Sequence, residues 1–382
     1  MSPYIFPFKM SNIALITNSA WSTYNFRTNL ARKIKNSGHN IVLLFPFDET
    51  YTPKLEREFK CFDIPINAKG VSLFEEISNF IGLYKVFKKI NIEILLTFSV
   101  KPNIYGSVLG RYFEYKVINN ISGLGTSFLS GIFLELLVSL SYRFALRKSH
   151  KILFQNSNDL NLFISNHIVN KKNAELIPGS GVDLEKFKPS CDTEKHAPNK
   201  TFTFLFIGRI IKDKGFLEFV EAIKLIKYKF PDKKAEFLVL GELSPSNRSS
   251  ISKDVFLGWE KEGLYRYLGF SDNVKEYIDL CDCLILPSYR EGLPRVILEA
   301  FAMEKPAIAT NVPGCNSIVD HGIDGLICEP RSSEDLSSKI NTMLNYSNKE
   351  IKLMGKRARI KVEKNYSEEL VLKKYLSLIN DI

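Results

Sequence analysis

Short apolar runs of β-type alternate with longer stretches whose apolar residues recur every three or four positions, along almost the whole chain. In the first half NIALITN (12–18), HNIVLLFP (39–46), IEILLTFS (92–99), YKVINNIS (115–122), KSHKILFQN (148–156) and AELIPGSGV (174–182) predict strands. The segment around 25–37 and VSLFEEISNFIGLYKVFKKI (71–90) carry the helical repeat. A second series follows, with strands at TFTFLFIG (201–208), AEFLVLGE (235–242), LYRYLGF (264–270), CLILPS (283–288), KPAIAT (305–310) and GLICEP (325–330). Helices are predicted around 215–229, 249–262 and 272–280, and from Pro294 onward. A closing helical segment, 349–379, is expected to pack across both halves.

Strands that alternate with helices imply a parallel sheet covered on both faces. KPSCDTEKHAPNK (188–200) breaks the alternation and is polar, charged and proline-bearing, as a linker should be. The expected organisation is a domain over residues 1–187, a linker over 188–200, a second domain over 201–350, and closing helices over 351–382. The expected fold class is α/β: two doubly wound, parallel-sheet, Rossmann-like domains facing across a cleft. Ligands of such sheets sit at the carboxyl ends of the strands, so one wall can hold a donor and the other an acceptor.

The length of 382 residues agrees with two domains rather than one. A formal net charge of +10 favours anionic partners, namely phosphates, nucleic acid or an acidic membrane surface; a solvated, lysine-rich surface explains it equally well. Six cysteines stand at 61, 191, 281, 283, 315 and 328. The N-terminal stretch MSPYIFPFKM lacks the apolar core of a signal peptide, so reduced thiols and a cytoplasmic location are expected. Cys281 and Cys283 have no second ligand pair at zinc spacing, and no metal site is expected. No run of 18 uncharged apolar residues occurs, so no spanning helix is expected. GIFLELLVSLSYRFAL (131–146), interrupted by Glu135 and Arg143, reads as a buried or interfacial helix.

Two stretches carry candidate chemistry. In REGLPRVILEA (290–300) the residues after the strand CLILPS form a loop at a carboxyl edge, and Pro294 suits the first helical position. The free N–H groups of such a helix start attract an anion. Glu291 lies in the loop and Glu299 in the second helical turn; on one ideal helix they would diverge by about 80°. The loop lets the two carboxylates meet different parts of one ligand. Taken alone, the stretch also fits a surface loop with a solvated helix glutamate. In FIGRIIKDKG (206–215) a strand ends at Gly208, and Arg209 and Lys214 follow. An arginine fork and a lysine point charge suit a diphosphate, and Gly208 allows close backbone approach. No G-x-x-x-x-G-K-[ST] occurs, so this is not an ATP-hydrolysing phosphate loop.

Together G-R-x4-K-G (208–215), E-x7-E (291–299), PGSGVDLEKFKP (178–189) and VPGCNSIVDHGIDGLICEP (312–330) resemble, in order and spacing, the retaining glycosyltransferases of family 4, which have the GT-B architecture. The resemblance implies roles residue by residue. Arg209 and Lys214 match the pair that neutralises the departing nucleotide diphosphate, and Glu299 matches the residue that binds the ribose. Glu291 matches the carboxylate at the donor sugar. The backbone of Gly292 and Leu293 would touch sugar and phosphate, and Leu268 and Gly269 would lie near the base. No D-x-D motif occurs, so no metal-bridged diphosphate and no cofactor are expected. Two cations and a helix N-terminus can supply the same countercharge.

TNSAWSTYNFR (17–27), TFSVKPNIYGS (97–107) and NNISGLGTSF (119–128) are similar to a narrower group, bacterial enzymes that extend an undecaprenyl-diphosphate-linked sugar, such as the bacillosaminyl-lipid N-acetylgalactosaminyltransferases. Many relatives are glycine-rich where this chain has Asn18-Ser19-Ala20, and many have histidine where it has Ser122. A hydroxyl can bind a sugar but is a poor base, so no catalytic histidine is carried over. Arg27, Lys101 and Ser122 are the acceptor-side candidates, with ordinary surface charge as the alternative for the two cations.

The expected activity is transfer, with retention, of a hexosyl or N-acetylhexosaminyl (or uronosyl) group. The donor is a UDP-sugar and the acceptor an undecaprenyl-diphosphate-linked saccharide, in surface-polysaccharide assembly. Basic residues interleave with aromatic ones in YKVFKKI (84–90) and YRFALRKSHK (142–151), which suits peripheral docking on an anionic membrane or a plain amphipathic helix. His150, His167 and His321 have no ligand-like neighbours and are read as structural. The rival readings are a UDP-sugar 2-epimerase on the same architecture and a non-catalytic basic binding protein. Dispersed cations without a stacking motif argue against nucleic acid.

Overall fold

The computed structural model describes residues 10–67, 73–124, 132–189, 201–245 and 247–382. The first nine residues, the GTSF end of NNISGLGTSF and all but the first two residues of the expected linker lie outside them. The chain forms two units, one running through Ser180 and regaining Val371–Ile382, the other spanning Gly181–Leu370.

In the first unit seven strands build one sheet: β1 (Asn12–Ile16), β2 (Asn40–Phe45), β3 (Lys60–Asp63), β4 (Ile94–Phe98), β5 (Lys116–Ile121), β6 (Lys151–Phe154) and β7 (Ala174–Leu176). Its order is β3-β2-β1-β4-β5-β6-β7, and every pairing is parallel. The helices are α1 (Ala20–Asn36), α2 (Thr52–Glu56), α3 (Leu73–Phe87), α4 (Val100–Tyr112), α5 (Ile132–Leu146) and α6 (Ser157–Ser165). The central strand β4 is buried along its whole length, as a strand covered on both faces must be, and its one polar residue, Thr97, is hydrogen-bonded to Asn103 and Asn119.

Three of these elements escape the hydrophobic pattern. β3 reads KCFD and α2 TPKLE, both too short and polar to show a period. Helix α4 contains Pro102, Gly106 and Gly110, which read as loop residues. The two glycines instead let the helix lie close on the sheet: a Cβ would stand 2.8 Å from Thr97 Cγ2 at Gly106 and 2.4 Å from Val117 Cγ2 at Gly110.

In the second unit β8 (Phe202–Ile207), β9 (Ala235–Leu240), β10 (Arg266–Tyr267), β11 (Cys283–Leu286), β12 (Ala307–Thr310) and β13 (Gly325–Cys328) form a parallel sheet in the order β10-β9-β8-β11-β12-β13. Around it lie α7 (Phe216–Lys229), α8 (Lys253–Lys261), α9 (Val274–Leu280), α10 (Arg295–Ala302), α11 (Ser333–Asn345) and α12 (Asn348–Asn365). The strand expected over 264–270 shrinks to two residues, because its backbone turns at Gly269 with φ of 79°. Pro294 is the N-cap of α10 rather than its first helical residue.

The boundaries differ from those expected. Val182 bridges to Ser367, and Val182 and Phe187 are buried in the second unit's core, so the division falls at Gly181, ahead of the polar segment. The closing segment forms two helices, and they are shared out between the units. α12 packs Ala358 and Val362 into the second core, and α13 (Glu368–Asn380) packs Val371, Tyr375, Leu378 and Ile379 into the first.

Candidate functional site

The second unit's chain leaves β8 toward β9 and β10 on one side, then returns to build β11, β12 and β13 on the other. The switch point of this sheet therefore lies between the ends of β8 and β11, where the loops part. Both sequence motifs end there. After β8 the chain turns through a 3-10 segment, Lys212–Lys214, closed by Gly215 with φ of 69°. A Cβ on Gly215 would stand 1.9 Å from the Pro287 carbonyl oxygen, so only glycine lets this loop press against the end of β11. That contact brings Lys214 beside Glu291.

The loop Ser288–Leu293 is clamped from both sides. Tyr289 N donates to Asp213 O at 3.0 Å, and Glu291 N donates to Pro313 O at 3.3 Å. Gly314, with φ of 86°, approaches so closely that a Cβ would lie 2.6 Å from Gly292 O and 2.7 Å from Glu291 O. The Thr310 hydroxyl donates to Ser288 O. Tyr289 is fixed from behind: its hydroxyl donates to Glu218 Oε1 at 2.7 Å, and the Arg331 guanidinium covers its ring at 4.7 Å.

Within that frame Glu291 Oε1 accepts from Lys214 Nζ and from Ser288 Oγ, the latter at 2.7 Å. The side chains of Lys214 and Glu291 retain 20% and 13% of their exposure, enough for a ligand to reach the pair. The second oxygen of Glu291 accepts no hydrogen bond from the described residues and is left for a ligand. Gly292 and Leu293 are buried, and α10 starts immediately after without a side-chain cap. A helix start of this kind attracts an anion.

The other donor-side candidates sit on the same edge. Arg209 is exposed and makes no side-chain hydrogen bond among the described residues. Gly208 N donates to Leu240 O at 3.1 Å, Leu268 N to Val239 O at 2.8 Å, and Gly241 N to Gly269 O at 2.8 Å. The ends of β8, β9 and β10 are thereby tied in a row. Glu299 is 8% exposed and receives Arg295 Nε at 2.9 Å. Burial pushes its carboxyl above the ordinary value, and Arg295 only partly offsets this.

On the first unit's carboxyl edge the three acceptor-side candidates follow β1, β4 and β5, neighbouring strands of the sheet. Arg27 is buried, its guanidinium 4.1 Å from the Phe98 ring centroid. Lys101 donates to Glu76 Oε1 at 2.7 Å and to Asn67 O at 2.6 Å. Ser122 is exposed just beyond β5. Beneath them Gln155 Nε2 donates to Asn120 Oδ1 at 3.0 Å, and Asn120 Nδ2 to the Tyr375 hydroxyl at 2.8 Å. Sequence reasoning missed Ser288, Tyr289, Gly241 and Gly314. A small residue at the end of an apolar strand run is the signal that could have found Ser288 and Gly241, whereas nothing local marks Tyr289. Gly314 lies in a motif already singled out.

Among the described residues no helix is long and apolar enough to cross a membrane. Residues 190–361 match the family described as "Glycosyl transferases group 1", and residues 12–156 match "Glycosyl transferase 4-like". The chain is 25% identical to the N,N'-diacetylbacillosaminyl-diphospho-undecaprenol alpha-1,3-N-acetylgalactosaminyltransferase of Campylobacter jejuni, over 97% of this chain and 98% of that one. It is 27% identical to the UDP-Gal:alpha-D-GlcNAc-diphosphoundecaprenol alpha-1,3-galactosyltransferase of Escherichia coli, over 87% of each. In fold it is similar to Anabaena HepE, solved in complex with UDP and glucose, with a TM-score of 0.79 and 13% identity over 97% of this chain and 100% of that one. The two doubly wound parallel sheets are those of the GT-B architecture.

Proposed function

Because this chain belongs to the glycosyltransferases, with a 4-like domain preceding a group 1 domain, we propose that it transfers a hexosyl or N-acetylhexosaminyl group from a UDP-sugar, with retention, to an undecaprenyl-diphosphate-linked saccharide in surface-polysaccharide assembly. The observation that carries this reading is the meeting of Lys214 and Glu291 at the switch point, with exposed Arg209 in the same β8 loop. The names of the Campylobacter and Escherichia relatives support the lipid-linked acceptor, and the UDP complex of the Anabaena neighbour supports the donor.

In this reading Arg209, Lys214 and the first N–H groups of α10 hold the donor diphosphate, with no divalent ion required. Lys214 exchanges its carboxylate partner for a phosphate oxygen. The free oxygen of Glu291 then accepts from a donor hydroxyl, and Glu299 accepts from the ribose. The bond from the anomeric carbon to the phosphate oxygen breaks, and a bond from that carbon to the acceptor oxygen forms on the same face. The acceptor proton passes to the departing phosphate, so no strong protein base is needed and the absence of a histidine at Ser122 is accommodated.

The test is incubation of the full chain with UDP-hexoses and UDP-N-acetylhexosamines and a polyprenyl-diphosphate monosaccharide. A mass increase of one sugar and an anomeric configuration matching the donor are expected. Undiminished transfer by Glu291→Ala and Lys214→Ala would overturn the site assignment. A modified UDP-sugar with no new glycosidic bond would favour the 2-epimerase reading instead.

A further inference from the structure

Helix α5 leaves an apolar face bare. Leu136, Leu137, Leu140 and Phe144 are 55%, 52%, 53% and 53% exposed. At the α-helical repeat they fall within about 100° of one another, on one stripe. The opposite side of the helix is buried through Tyr142, Ala145 and Leu146, so the stripe is additional to the side that packs on the protein. A contiguous exposed patch of this kind marks an interaction surface.

The same stripe ends in positive charge. The guanidiniums of Arg111 and Arg147 stand 4.8 Å and 5.0 Å from the Phe144 ring centroid, and Arg111 donates to Phe144 O at 3.3 Å. Arg143 is exposed on this face, and Lys148 at the end of the helix is exposed as well. Among the described residues none of Arg111, Arg143 and Arg147 pairs with a carboxylate. Burial and the nearby charge of Arg147 hold Arg111 below its ordinary pKa, as expected of like charges crowded without a counterion. Beside them opens a groove of about 900 Å³, with Ile152, Ile168 and Val169 in its lining and Arg143, Arg147 and Lys171 among its polar members. Apolar side chains next to uncompensated arginines match a bilayer in which acyl chains lie under phosphate headgroups.

We propose that this face of α5 docks the protein on an anionic phospholipid bilayer, with Leu136, Leu137, Leu140 and Phe144 in the acyl boundary and Arg111, Arg143 and Arg147 on headgroup phosphates. The use of such docking rests on the proposed lipid-linked acceptor; the docking itself is measured without it. Full-length chain is floated with phosphatidylcholine vesicles, with or without phosphatidylglycerol, at low and high salt. Binding that needs phosphatidylglycerol and weakens with salt is expected. Arg143→Glu with Arg147→Glu should lower partitioning at least tenfold, and Leu140→Ser with Phe144→Ser should lower it as well. Each should keep the wild-type melting temperature and UDP affinity. Should the arginine variant fail to fold, Lys171→Glu reads the same surface from the groove side. Unchanged partitioning of the variants, equal binding to neutral vesicles, or a concentration-dependent dimer lost in the variants would overturn the proposal. Transfer to a water-soluble acceptor should be untouched by these substitutions. Its absence in the wild type would count against the catalytic reading and leave the vesicle result standing.

Discussion

Lys214 donates to the same oxygen of Glu291 that accepts from Ser288, so one carboxylate oxygen is doubly occupied and the other is open. The pair holds a cation and an anion at the switch point in a neutral resting arrangement. A ligand that brings its own negative charge must compete with Glu291 for Lys214. This gives a prediction with opposite signs for binding and turnover. Glu291→Gln should bind UDP about tenfold more tightly by calorimetry, a change of about 1.4 kcal/mol. Its kcat/KM for transfer should fall, and Lys214→Ala should lose about 100- to 1000-fold. Equal losses of UDP affinity in both variants would show that the pair does not compete with the diphosphate.

The close approach at Gly215 can be separated from its backbone conformation. Gly269→Ala also places alanine at positive φ, but into open space, and should cost about 1–2 kcal/mol. Gly215→Ala adds a collision with the Pro287 carbonyl and should cost about 1–3 kcal/mol more. Urea unfolding of the two variants measures the difference, and equal midpoints would mean that the β8 loop does not depend on this contact.

Two carboxylates should give pH dependences of opposite sign. Glu175 is held below its ordinary value by hydrogen bonds from Lys151 and Lys374, the latter at 2.5 Å. Its contribution is present above the unfolded value of 4.5 and is lost as pH falls through the lower folded value. Glu175→Gln should therefore melt below wild type at neutral pH, and the gap should close in acid. The pair is partly exposed, so the difference should stay under about 1 kcal/mol. Glu299 is raised by burial, so the folded state binds the proton more readily and stability falls as pH rises above 4.5. The melting temperature of Glu299→Gln, measured relative to wild type, should rise with pH over that window.

The turn before β13 is held by a buried charge. Asp324 is fully buried, accepts from Asp320 N at 2.8 Å, and is ion-paired with Lys361 on α12. Lys361→Met would strand that carboxylate and should cost about 3–5 kcal/mol by chemical denaturation. Asp324→Asn keeps the site hydrogen-bonded and uncharged, and should cost less. The reverse ranking would show that the lysine stem, not its charge, carries the contact.

The sequence displayed the strand ends but not their pairing. FIGRIIKDKG and REGLPRVILEA each announce a loop after an apolar run, and both loops fall where expected. That Lys214 touches Glu291, 77 residues away, depends on β8 lying beside β11, which no local pattern encodes. The same gap hid the partner of Lys101: Glu76 belongs to a helix separated from it by β4. Helix α11 was legible, since Leu336, Ile340 and Met343 recur at helical spacing after the N-cap Ser332, but its polar first turn, SEDL, reads on from the preceding loop and only the burial of these residues against α7 and the sheet makes the face plain. Tyr375 gave no sign of a role because its partner Asn120 stands 255 residues away in the chain.

That last contact has a consequence for how the protein is made. Val371, Tyr375, Leu378 and Ile379 complete a core whose other members, such as Ile13, Leu43 and Phe98, leave the ribosome long before them. All of Gly181–Leu370 is translated in between, a delay of roughly ten to forty seconds at ordinary elongation rates. During that interval the nascent first unit carries an open greasy seam, a natural docking place for holdase chaperones, and trimming its distal helix should leave the newborn half exposed to proteolysis.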